Sequence, residues 1–182
     1  NFVVLKLHNS SISPPQLSKY ASAAAKAANV PLLDENSFRT NFHQADVLNI
    51  AAECVSSMVR DADLVTLMFT LNELYTTSLP KTQGFLQHLT SCVRSGTLLL
   101  VVDSPGSYST VSLNGAEKKY PMHWLLDHTL LGGVHGTESS KGEDQHWEKL
   151  LTDQSRWFRL PEELKYPIEL ENMRCQIHLY RR

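Results

Sequence analysis

Cysteine is scarce in this chain: three residues among 182, at Cys54, Cys92 and Cys175, widely spaced and with no CxxC pair. Such spacing excludes a disulfide framework and a structural zinc site, and leaves free thiols of an intracellular kind. Charge of one sign is lacking as well. Seventeen basic residues against nineteen acidic leave a formal charge of −2, so no global field marks a nucleic-acid binder, although a local basic patch stays open. No apolar run approaches membrane-spanning length and no secretory leader is visible. The phosphate-cradling patterns GxGxxG and GxxxxGKS/T are missing, as is the GxSxG of a nucleophile elbow. His123 and His128 stand five apart on a predicted helix and share no face; with no Cys or Glu to complete a set, a metal site is rejected. What remains, 42% apolar and 20% charged, suits one ordinary globular domain over residues 1–182.

The apolar residues that are present fall into an alternation of strand and helix. Leu64 to Phe69 is a short, nearly continuous apolar run, the mark of a strand covered on both faces in a parallel sheet. Ser78-Leu-Pro80 opens a helix with proline in its first turn, and Phe85, Leu86, Leu89 and Val93 give that helix an apolar face. Gly96 is placed for a left-handed cap, and Thr97 to Val102 is a second buried-type strand ending in Asp103. Successive αβ units favour a parallel sheet with right-handed crossovers. Upstream, Phe2–Leu7 and Ser37–His43 read as strands, Gln16–Asn29 as an alanine-rich helix ended by Pro31, and Val47–Arg60 as a helix. Downstream, Ser107–Lys119 is polar and turn-rich, Tyr120–Leu131 helical, 132–145 a mobile loop, and Trp147–Leu151 a short helix. Met173–Tyr180 alternates with period two and ends the chain as an antiparallel strand. The expected fold is α/β, a Rossmann-like sheet, mostly parallel, with a C-terminal antiparallel pair.

Polar groups fall just after three predicted strands: Asp46, then Asn72 with Glu73, then Asp103. In open α/β sheets ligands gather outside the carboxyl ends of the strands, so neighbouring strands would bring these groups to one crevice. The plainer reading makes Asn72 a helix cap and Glu73 a first-turn acid. Basic residues concentrate in the second half, among them Lys118, Lys119, Arg156, Arg159, Arg174 and Arg182, with Tyr108, Tyr120, Trp124 and Trp157 interleaved. That is either an RNA-facing surface or a solvated face over core aromatics.

Asp46 to Leu48, Leu67 to Tyr75 and Leu99 to Ser104 resemble the later motifs of class I S-adenosylmethionine-dependent methyltransferases. Residues 15–29, 69–75, 102–108, 119–127 and 156–161 resemble more closely the fungal large-subunit (25S) ribosomal RNA uridine-N3 methyltransferases, a likeness covering roughly residues 14–182. The resemblance implies S-adenosyl-L-methionine as cofactor, ribosomal RNA as partner, no metal, no membrane, and a nuclear, nucleolar or cytoplasmic location. It implies that Asp46 holds the adenine amino group and Val47 meets the ring through its backbone, with Phe69, Thr70 and Leu71 lining the cofactor. Asn72 and Glu73 would face the methyl group and target base, and Asp103, Ser104 and Tyr108 would form the other wall. The glycine-rich first loop of such enzymes is not found here, and the chain begins at Asn1 rather than methionine. An N-terminally incomplete domain without its first strand is therefore expected. Same-fold methylation of a small molecule or protein, and a catalytically silent binding module, are the alternatives.

Overall fold

The computed structural model describes residues 3–9, 38–113, 116–132, 146–162 and 169–182. The chain divides into two compact units, Asn1–Asp46 and Val47–Arg182. In the first, β1 (Val3–Asn9) pairs antiparallel with β2 (Phe38–Gln44), running from Val3 opposite Gln44 to Asn9 opposite Phe38. The helix expected over 16–29 lies outside the described residues.

The second unit is built on a four-stranded sheet. Its strands are β3 (Leu64–Met68), β4 (Leu98–Asp103), β7 (Glu148–Phe158) and β8 (Met173–Arg181), ordered β3-β4-β8-β7. Around it run α1 (Ala52–Val59), α2 (Leu71–Thr77), α3 (Leu79–Cys92) and α4 (Met122–Leu130). A hairpin of β5 (Tyr108–Leu113) and β6 (Ala116–Pro121) precedes α4.

β3 and β4 are parallel, in register from Leu64–Leu98 to Met68–Val102. β8 runs antiparallel to β4, with Leu99 opposite Tyr180, Val101 opposite His178 and Asp103 opposite Gln176. β7 runs antiparallel to β8 with two irregularities, between Lys149 and Leu151 and between Asp153 and Arg156. The mixed α/β architecture agrees with the expectation and with a methyltransferase fold. The expected parallel majority is corrected: among the described residues the sheet has one parallel pair and two antiparallel ones.

Three local expectations also change. Trp147–Leu151 is not a helix; it leads into β7, because β8 offers a pairing partner that outweighs local propensity. Part of the turn-rich 107–119 stretch forms the β5–β6 hairpin, whose polar strands have no apolar alternation to announce them. The helix expected from Val47 begins only at Ala52, after a turn. The 132–145 loop falls, after Gly132, outside the described residues.

The register divides the sheet into two faces. Val65, Leu67, Leu99, Val101, Asp103, Gln176, His178 and Tyr180 share the face packed by helices, and the last six of these are buried. Leu71, Leu74, Leu86, Leu89, Met122 and Leu126 fill the space above them, all at 0% exposure. Trp147 closes the layer, donating its indole N–H to Thr90 Oγ1 at 2.8 Å. The opposite face carries Leu64, Met68 and Leu151, each 40% exposed or more. Among the described residues β3 is therefore an edge strand with one open face, where a strand covered on both faces was expected.

Candidate functional site

The site candidates sit where β3 and β4 stop side by side. Phe69 takes φ 52°, the sole left-handed residue other than glycine among those described, and its N–H donates to the Val102 carbonyl at 2.7 Å. A Cβ in that region costs roughly 1–2 kcal/mol. The turn it creates lets the strand enter α2 within two residues. Thr70, the residue before the helix, spends its hydroxyl on the Met68 carbonyl at 2.7 Å and makes no cap.

The cap comes from the neighbouring strand instead. Asp103, 3% exposed, accepts the Asn72 N–H on Oδ2 at 3.0 Å and the Ser104 N–H on Oδ1 at 2.8 Å. A carboxylate at the positive end of α2 is worth about 0.3–1 kcal/mol in an exposed setting and up to ~2 kcal/mol when partly buried. Asp103 thus bolts the end of β4 to the start of α2. Asn72 is the second residue of α2, half-buried, and its Oδ1 is shut off from solvent without a hydrogen-bond donor. Glu73 lies in the first turn with its side chain exposed. Leu71 is at 0% exposure and belongs to the core rather than to a wall.

After Asp103 the chain turns through Ser104, Pro105 and Gly106, the glycine at φ 71°, as the third position of a type II turn requires. The Ser104 carbonyl accepts from Ser107 Oγ at 2.7 Å and from Gln176 Nε2 at 2.7 Å. Tyr108 opens β5 and is 58% exposed. Phe69, Thr70, Asn72, Asp103 and Ser104 are thereby gathered at one sheet edge. Asp46 closes the first unit, half-buried after β2. Val47 opens the second, half-buried in the turn before α1; in that same turn Asn49 Oδ1 accepts from Lys81 Nζ at 2.6 Å.

Behind the edge lies a buried polar cluster that the sequence reading did not assign. His178, at 0% exposure, contacts Gln176 Oε1 through Nε2 at 3.1 Å and Thr152 Oγ1 through Nδ1 at 2.8 Å. Burial, then the neighbouring His123, lowers its pKa from 6.5 to about 4. His123, stacked on it at 5.9 Å between centroids, is also lowered by burial. Tyr180 donates to Asp127 Oδ1 at 2.7 Å, and Lys149 binds the other oxygen. Burial raises the hydroxyls of Tyr75 and Tyr180 well above their ordinary range. The signal for this cluster was the alternation of Gln176, His178 and Tyr180 in the last strand, polar residues on the face that proves to be the buried one.

This arrangement, a parallel strand pair feeding a helix at its carboxyl ends with an acid bridging the two, is a mixed α/β one of the kind whose strand ends gather ligands, and it agrees with a methyltransferase fold. The chain belongs to a family of S-adenosylmethionine-dependent methyltransferases: residues 1–181 match the family described as "Putative SAM-dependent methyltransferase". It is similar to the 25S rRNA (uridine(2843)-N(3))-methyltransferase of Saccharomyces cerevisiae, with 35% identity over 147 residues. That alignment takes in 81% of this chain and 39% of the yeast protein, so the chain spans about two fifths of its relative's length. No solved structure matches the chain. The edge residues fit such a cofactor or its target, since the buried Asn72 Oδ1 is an acceptor that a ligand N–H or cationic centre would complete. Among the described residues no cluster of His, Cys, Asp or Glu could hold a metal ion, and no helix is long and apolar enough to cross a membrane.

Proposed function

We propose that the protein carrying this chain methylates N3 of a uridine in large-subunit ribosomal RNA, wherever in the nucleus, nucleolus or cytoplasm that RNA is reached. The observation that carries the reading is the 35% identity to a uridine-N3 methyltransferase across 81% of the chain. S-adenosylmethionine supplies, when bound, an electrophilic methyl on a sulfonium sulfur, which departs as a neutral thioether.

The chain's own residues do the rest. N3 of uridine lies on the pairing edge, so the base must be unpaired or flipped to enter. Its N–H is a donor, and Asn72 Oδ1 is the buried acceptor in want of one. The N3 proton must leave before its electron pair can form the new N–CH₃ bond. Asp103 has both oxygens engaged by backbone N–H groups, so its part is to hold α2 in place. Glu73, exposed beside Asn72, is the acid left to take the proton, a contribution of about 10²–10⁴-fold for such groups. Asp46 and Val47 would hold the adenine, and Phe69 and Thr70 would line the cofactor. Ser104 and Tyr108 would flank the base.

The test uses the full-length protein. Calorimetry should show S-adenosylmethionine binding, and nucleoside mass spectrometry should detect 3-methyluridine in treated large-subunit RNA. Glu73→Gln should lose about 10²-fold or more in kcat while keeping cofactor affinity. Methylation elsewhere than N3, or full activity in Glu73→Gln, refutes the corresponding part.

A further inference from the structure

We infer that Gln176 and His178 are positioning residues for methyl transfer, holding the 104–107 turn through a chain of hydrogen bonds whose polarity is fixed from end to end. The inference rests on the methyltransferase reading of the strand-end site.

The polarity follows from a single carbonyl. Ser104 C=O can only accept, so the amide nitrogen of Gln176 faces it at 2.7 Å. Gln176 Oε1 is then an acceptor, and His178 Nε2, at 3.1 Å, must carry the proton. In a neutral ring Nδ1 accepts, so Thr152 Oγ1 donates to it at 2.8 Å. The neutral state agrees with a fully buried imidazole whose pKa is depressed to about 4. His123 takes the opposite tautomer, because Gln154 Nε2 donates to its Nε2 at 3.3 Å. The result is a one-way relay from Thr152 on β7, through His178 and Gln176 on β8, to the backbone just beyond β4.

Its end point is what gives the relay a role beyond packing. Gln176 stands opposite Asp103 in the sheet and grips the next residue, while Asp103 caps the helix that presents Asn72. Ser107 Oγ already satisfies the Ser104 carbonyl, so the amide is not needed to pay a desolvation debt there. It adds direction: with two donors on one oxygen the turn has one place to sit. Displacing a wall by about 1 Å can cost on the order of 10²-fold in rate.

Substituting Gln176 separates positioning from structure. Gln176→Leu removes the donor, and kcat should fall on the order of 10- to 100-fold with little change in KM for S-adenosylmethionine. Gln176→Glu keeps the shape. When protonated its carboxyl donates to Ser104 and accepts from His178; when ionised it repels the carbonyl. Its kcat should therefore rise, relative to Gln176→Leu, as pH is lowered from about 8 to about 6, since burial raises a carboxyl's pKa. Asp103, His178, His123, Asp127, Lys149 and Asp153 face this region from β4, β8, α4 and β7, and all are retained in Gln176→Leu, which controls for their titration. Nitrogen NMR of the full-length wild type should show His178 protonated on Nε2, and amide exchange at Ser104 and Ser107 should quicken in Gln176→Leu.

Wild-type kcat in Gln176→Leu, parallel pH profiles for the two variants, or a His178 proton on Nδ1 each overturn the inference. A wild type that methylates no RNA sinks the functional reading and the methyl-transfer role with it. The tautomer and exchange data then still decide whether the relay holds the turn.

Discussion

β3 and β4 are two parallel strands of similar composition and opposite fates. On the helix-packed face Leu99 and Val101 of β4 are buried while their register partners Val65 and Leu67 of β3 are half-buried, and on the opposite face Val102 of β4 is 7% exposed against 49% for its partner Met68. The difference is not in the residues but in the neighbours: β4 has β3 on one side and β8 on the other, and among the described residues β3 is an edge of this sheet. An apolar run advertises a strand; only the topology says how many of its faces and edges are covered.

The largest effect that would sharpen this contrast comes from the same substitution in each strand. Leu99→Ala should cost about 2–5 kcal/mol, the range for a buried leucine, while Leu64→Ala should cost roughly 0.5 kcal/mol or less. Chemical denaturation of both variants measures it, and equal losses would mean that the open face of β3 is covered in solution.

A second expectation concerns the strand on the other side of β4. His178 has a folded-state pKa of about 4 against an ordinary 6.5. Between those values the unfolded chain binds the proton and the folded chain does not, so stability falls as pH drops from 6.5 toward 4 and loses nothing more from this group below that. At about 1.4 kcal/mol per pKa unit, the loss is on the order of 2–3 kcal/mol. His178→Gln should flatten that part of the stability profile. An unchanged slope would assign the acid sensitivity elsewhere.

The smallest effect lies at the carboxyl end of β3. Phe69→Gly removes a Cβ from the left-handed region and should recover up to about 1–2 kcal/mol from strain, offset by the ring's lost contacts and by glycine's entropy. A net change within about 1 kcal/mol together with weakened cofactor binding is the expected pair of results. Unimpaired binding would remove Phe69 from the cofactor wall.

What the sequence disclosed was local. The proline start of α3 and the apolar β4 are written within a few residues of where they act and stand as expected, whereas Gly96 takes its positive φ in the turn before β4 and the helix is capped instead by the extended Val93. The β7 strand was hidden because its reason for existing is β8, beyond a further stretch of chain. At the strand-end edge, the polar residues after β3 and β4 were legible as a group. The bond from Asp103 to Asn72 was not, since 31 positions separate the partners. The relay behind it was half-written: the spacing of Gln176, His178 and Tyr180 showed a shared face, but not which face would be buried.

The long separation between β4 and β8 also has a consequence in time. The bond from Gln176 to Ser104 joins residues 72 positions apart, and β8 is the last strand among the described residues. At about 5–20 residues per second of synthesis, β4 emerges from the ribosome roughly 4–14 s before its second neighbour. Through that interval the nascent chain holds Leu99 and Val101 on a strand paired on one edge alone. The protein is then a client for any chaperone that reads short apolar strands, and the arrival of residues 173–182 is the step that ends the exposure.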